Sequence, residues 1–129
     1  MKELVFPELS YKVIGIAFKV FNSLGYGHQE KYFQRAIALE LDKQGIRYEK
    51  EKEIKLNYNN HCIGKYFLDF LIEDKIILEL KVVPEFKHTH LKRTLEYLDA
   101  TKVKLAILVY FTRNGVKYRR IINPRIKIY

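Results

Sequence analysis

Cysteine, methionine, proline, glycine and tryptophan are all scarce in this chain: one Cys, one Met, three Pro, six Gly and no Trp among 129 residues. A single cysteine, Cys62, excludes an internal disulfide and gives no support to dithiol redox chemistry. It agrees with a reducing compartment, and the expected location is cytoplasmic. No apolar run approaches the roughly 18 residues of a membrane-spanning helix. The stretch Met1 to Pro7 lacks the apolar region of an export signal, so neither a membrane nor an export route is expected. Repeats, low-complexity tracts and long linkers are also missing, which leaves 1–129 to be read as one domain. Acids are the minority charge, 15 against 24 Lys and Arg, for a net charge of +9. A positive field of that size favours polyanionic partners, nucleic acid first, with a generally basic surface as the plain alternative.

What the chain does have is apolar content, 48%, enough for one continuous core. Val13, Ile16, Ala17, Val20 and Leu24 recur at helical spacing and predict a helix over 9–24, ended by Gly25-Tyr26-Gly27. A second helix is expected over 28–43, with Phe33, Ile37 and Leu41 as its stripe and Gly45 as its stop. Glu30, three residues before Phe33, shares that inward face. Ile54, Leu56 and Tyr58 then alternate with polar neighbours up to the turn at Asn59-Asn60. Strands follow over 63–72 and 76–83, joined at Glu73-Asp74-Lys75 and stopped by Pro84. A helix over 86–100, with Leu91, Leu95 and Leu98 inward, a buried strand over 105–111 and a strand over 117–122 after Arg113-Asn114-Gly115 complete the order α-α-β-β-β-α-β-β. The expected fold is α/β, a central mixed sheet flanked by helices.

The third strand carries the chemistry. Ile76, Leu78, Leu80 and Val82 form one face; Ile77, Glu79, Lys81 and Val83 form the other, so two charges sit in an apolar strand, where they are costly unless compensated. With a three-residue loop at 73–75, Ile72 faces Ile76, Leu71 faces Ile77, Phe70 faces Leu78, Asp69 faces Glu79 and Leu68 faces Leu80. Two carboxylates opposed across a ladder repel each other. A hard divalent ion held by oxygen ligands reconciles them, and such an ion activates water and polarises a phosphoryl oxygen. Lys81 would then hold a phosphate or orient the attacking water, and Glu30 would supply a further ligand or act through a water. The alternative is a partly exposed sheet face carrying a Glu–Lys salt bridge.

An acid on the second strand followed by Glu-x-Lys on the third resembles the PD-(D/E)XK nuclease superfamily, whose core is α-β-β-β-α-β, the restriction-endonuclease-like fold. More narrowly, Leu24-Gly25-Tyr26-Gly27-His28-Gln29-Glu30, Asp69, Glu79-Leu80-Lys81 and Tyr97-Leu98 resemble the GxxExxY family, over roughly 9–123. The resemblance implies a Mg²⁺ or Mn²⁺ site at Glu30, Asp69 and Glu79, with Lys81 as the catalytic lysine. Phe33 stands at the family's tyrosine position. Arg93 stands at its usual glutamine position, where a guanidinium suits phosphate clamping.

Beyond that set, Tyr97 falls with Arg93 and His90 on one side of its helix and is read either as bordering the site or as a packing tyrosine. His88 and His90, two apart on a helix, point to different sides and are read as surface residues. The basic run Lys117, Arg119, Arg120, Arg125 and Lys127, with Tyr118 and Tyr129 interleaved, either grips a nucleic-acid backbone or guards an edge strand. The expected activity is metal-dependent cleavage of phosphodiester bonds in DNA, with RNA the alternative polymer. A nucleic-acid-binding module without catalysis is the second reading, and a basic protein that binds an acidic partner is the third. Whether two copies form a homodimer to set two sites on a duplex is not decided by the sequence.

Overall fold

In the computed structural model, which describes residues 5–85 and 89–125, eight elements follow one another. They are α1 (Pro7–Leu24), α2 (Glu30–Lys43), β1 (Tyr48–Tyr58), β2 (His61–Ile72), β3 (Ile76–Val82), α3 (Thr89–Thr101), β4 (Leu105–Thr112) and β5 (Gly115–Ile122). The order is the expected one, with the first and last strands longer than their alternation suggested. Phe86, His88, Lys127 and Tyr129 lie outside the described residues. Among the described residues no helix is long and apolar enough to cross a membrane.

The strands form one mixed sheet in the order β1-β2-β3-β4-β5. Neighbours are antiparallel except β3 and β4, whose parallel pairing requires the crossover that α3 provides. Helices α1 and α2 cover one face. There Val13, Ile16 and Val20 of α1 and Phe33, Ile37 and Leu41 of α2 pack on Phe70, Ile72, Leu78, Leu80, Ile107 and Val109. Helix α3 covers the other, where Tyr97 and Leu98 meet Leu68, Ile77, Leu108 and Tyr110. Covered on both sides, β4 is buried along its whole length, which is why it reads as an unbroken apolar run. Asn123 anchors the far end of α3, its side-chain amide donating to the carbonyls of Leu98 (3.0 Å) and Val103 (2.9 Å).

Two expectations need correction. In α3 the buried stripe is rotated: Leu95 is exposed, while Thr94 and Tyr97 are buried beside Leu98. Thr94 tolerates burial because its hydroxyl donates to the His90 carbonyl at 3.0 Å, and the Tyr97 ring packs against Tyr66 with centroids 5.3 Å apart. The second correction concerns β2. Its pairing with β3 has the expected register at Ile72–Ile76, Leu71–Ile77 and Phe70–Leu78, and it stops there although both strands continue. Leu68 does not share a face with Leu80: Phe70 and Ile72 pack beneath α1 and α2, whereas Leu68 and Tyr66 pack beneath α3. The reversal falls at Asp69. On β1 Glu51, between the Lys50–Phe70 and Lys52–Leu68 pairs, has a left-handed φ of 54°, and beyond it Ile54 also joins the α3 side. Both strands of the β1–β2 hairpin therefore turn over at the same rung, and β2 leaves β3 there.

Candidate active site

The opening between β2 and β3 is bridged by two side chains. Beyond the Phe70–Leu78 pair, the Asp69 backbone N–H donates to Glu79 Oε1 at 3.1 Å, and the Leu80 N–H donates to Asp69 Oδ2 at 2.8 Å. Carboxylate oxygens thus take over where the backbone ladder ends. The second Asp69 oxygen, Oδ1, accepts from Gln34 Nε2 of α2 at 3.1 Å. The two acids that register arithmetic set opposite each other do meet, in an opening between strands and not within a continuous ladder.

Their electrostatics follow from burial. Glu79 is only 4% exposed, and its pKa is pushed up to about 9, first by loss of hydration and then by the neighbouring Asp69 charge. Asp69 is also raised by burial, opposed by the Leu80 N–H, the hydrogen bond with Glu79 and the Lys81 charge. Burial and mutual repulsion therefore favour one proton held by the pair. Glu30, half-buried in the first turn of α2, is raised by burial and by the charge of Asp69, while Lys81 opposes the shift. Lys81 is half-buried, forms no ion pair within 4 Å among the described residues, and bears electrostatically on all three acids.

Among the described residues no three His, Cys, Asp or Glu side chains are grouped closely enough to hold an ion by themselves. The expected set of Glu30, Asp69 and Glu79 is therefore a hydrogen-bonded pair with a third acid alongside. Such a pair still fits a small hard cation, since Mg²⁺ commonly takes one or two carboxylates and completes its shell with water and substrate phosphate. A cation also offers these two acids what a shared proton now supplies.

The other expected residues divide. Arg93 is exposed on α3, and its charge acts on His90 and Tyr97. Tyr97 is 6% exposed, too buried to stack on a base; it packs on Tyr66, and its hydroxyl pKa is raised by burial and by Glu79. His90 is half-buried and not a surface residue: its ring lies 5.8 Å from that of Tyr110, and burial, with the Lys81 and Arg93 charges, lowers its pKa. On β5, Arg119 pairs with Leu108, which pairs with Glu79; Lys117 pairs with Tyr110, which pairs with Lys81. Both basic residues therefore belong to the α3 side of the sheet, two strands from the acids. Arg120 belongs to the other side, where it donates through Nε to Ser10 Oγ at 3.1 Å and through Nη2 to the Val5 carbonyl. It ties β5 to α1 and is not an exposed contact. Gln34 escaped sequence reading; its one available signal was its position a helical turn after Glu30, on the same side of α2.

Comparison with known proteins agrees with the fold. A sequence profile described as PD-(D/E)XK nuclease superfamily matches residues 7–121. A solved structure described as "Crystal structure of SSO0001" superposes with a TM-score of 0.53 at 18% identity, over 90% of this chain and 77% of that one. No curated protein matches.

Proposed function

Because the chain belongs to the PD-(D/E)XK nuclease superfamily, we propose that it is a Mg²⁺- or Mn²⁺-dependent phosphodiesterase acting on DNA, with RNA as the alternative polymer. Within the superfamily we place it with the GxxExxY proteins, on the Gly25-to-Glu30 segment, Asp69, Glu79-Leu80-Lys81 and Tyr97-Leu98. The observation that carries the reading is the carboxylate pair bridging the opening between β2 and β3, with Lys81 two residues beyond Glu79 on the same strand.

Asp69 and Glu79 would hold the ion, which when bound supplies a more acidic water and offsets charge on the phosphate. Asp69 is held in place by the Leu80 N–H and by Gln34, so its carboxylate is oriented before substrate arrives. The pair must lose its proton for the ion to bind. Lys81, with no ion pair of its own among the described residues, is available to a phosphate oxygen or to the attacking water. Glu30, made more basic by burial and by the Asp69 charge, is suited to accept a proton from that water through a hydrogen bond. Arg93, Arg119 and Lys117 supply positive charge on the α3 side, where phosphates flanking the scissile bond would lie.

The test is cleavage of end-labelled single-stranded, duplex and branched DNA, and of RNA, with Mg²⁺ or Mn²⁺. Lys81→Ala is expected to reduce the rate about 100-fold or more with its thermal melt unchanged. Intact substrates, or a Lys81→Ala variant that cuts like the wild type, would sink the reading. Salt-sensitive DNA binding that needs no metal and survives Asp69→Ala, with no cleavage, would mark a binding module instead.

A further inference from the structure

Among the described residues Gln34 is the one side chain outside the acid pair that hydrogen-bonds into it, and it comes from a different element. Asp69 accepts the Leu80 N–H on Oδ2 and the Gln34 amide N–H on Oδ1, so its plane is fixed from two directions, one on β3 and one on α2. Since a carboxylate can only accept, the Gln34 nitrogen faces it and the Gln34 carbonyl oxygen points elsewhere. The contact is neutral. A lysine or arginine at this place would cancel the Asp69 charge, whereas an amide orients the carboxylate and leaves that charge for a cation.

The placement on α2 is specific. Phe33, Ile37 and Leu41 form the buried stripe, and Gln34 stands beside it, half-buried, one turn after Glu30. The same helix thus brings Glu30 close enough to feel the charge of Asp69 and sends Gln34 to hold that aspartate. We infer that Gln34 is a positioning residue for the metal site: it sets the orientation in which Asp69 meets the ion and thereby couples α2 to the geometry of the site. This rests on the reading of Asp69 and Glu79 as the pair that holds the ion.

Groups that orient a ligand without touching the metal are typically worth about 10- to 100-fold in affinity or activity. The test measures Mn²⁺ affinity by calorimetry or EPR for the wild type, Gln34→Ala, Gln34→Met and Asp69→Asn, with a thermal melt of each. Met keeps the reach and bulk of Gln but has no N–H to donate, so it separates packing from the hydrogen bond. Both Gln34 variants are expected to melt close to the wild type and to bind Mn²⁺ about 10-fold or more weakly. Where cleavage is measurable, kcat falls and KM for the nucleic acid holds, because Gln34 acts through Asp69 and not on the substrate. Loss of Mn²⁺ binding in Asp69→Asn with wild-type affinity in Gln34→Met would overturn the role of Gln34 and leave the metal reading standing. Equal Mn²⁺ binding by the wild type and Asp69→Asn would overturn the metal reading itself and this inference with it.

Discussion

Glu79 is a carboxyl that folding keeps protonated. In the unfolded chain it ionises near its ordinary 4.5, in the folded chain near 9, so between those values the folded state holds the extra proton. The stabilisation is complete below about pH 4.5 and is lost as pH rises, until the folded-state group ionises too. For the metal-free protein, melts from pH 5 to 9 in EDTA should therefore show falling stability. Glu79→Gln, which keeps an acceptor and cannot ionise, should flatten that slope and stabilise the protein at pH 7 by on the order of 1–3 kcal/mol. Parallel profiles for the two proteins would contradict this account. Mn²⁺ should stabilise the wild type more at pH 8 than at pH 6, because the ion replaces the proton. The presence of Glu79 and Asp69 in apolar strands was plain in the sequence, since a charge within Ile76 to Val83 has to be explained. Gln34 was not, because a glutamine beside a helical stripe is ordinary and nothing in α2 names its partner on β2.

The β1–β2 hairpin carries the feature that creates the site, the rung at Glu51 and Asp69 where both strands turn over. A non-glycine residue in the left-handed region costs about 1 kcal/mol or more, and Glu51 sits there with φ 54°. Glu51→Gly should relieve that cost and stabilise by about 1 kcal/mol. Lys52→Gly, one residue on and paired with Leu68, lacks that strain and should destabilise by a similar amount. The sign difference, read from denaturant midpoints at constant m, checks the reversal itself. This rung was hidden from sequence reading for a clear reason: Glu49 to Glu53 alternate in charge, so no apolar residue reports which face each occupies. Alternation of Ile76 to Val82 was reliable because every second residue there is buried in one layer or the other. The rotation of α3 was illegible for a related reason, since Thr94 and Tyr97 suit either a wet or a dry face until their hydrogen bonds and ring partners are known.

Across the whole molecule the charge of +9 is partly spent on structure. Arg119 and Arg120 are adjacent, yet strand alternation sends them to opposite layers, and Arg120 is tied to α1. Arg119→Ala and Lys117→Ala should weaken nucleic-acid binding across sequences and each reduce its salt slope by about 1. Arg120→Ala should leave the slope alone and lower stability by about 1–3 kcal/mol, because Ser10 and the Val5 carbonyl lose their partner. A titration series in salt with a melt of each variant separates the two behaviours; a changed slope in Arg120→Ala would show that its tie to α1 is not its main role. The bridge between β2 and β3 has a bearing on descent. Two backbone N–H groups, those of Asp69 and Leu80, rely on these acid side chains for their acceptors, so alanine there would leave a seam of the sheet unsatisfied while asparagine or glutamine would not. A lineage that gave up cutting would still be held by folding to oxygen-bearing side chains at 69 and 79. Inactive descendants of this architecture should accordingly drift to amides before they drift to anything else.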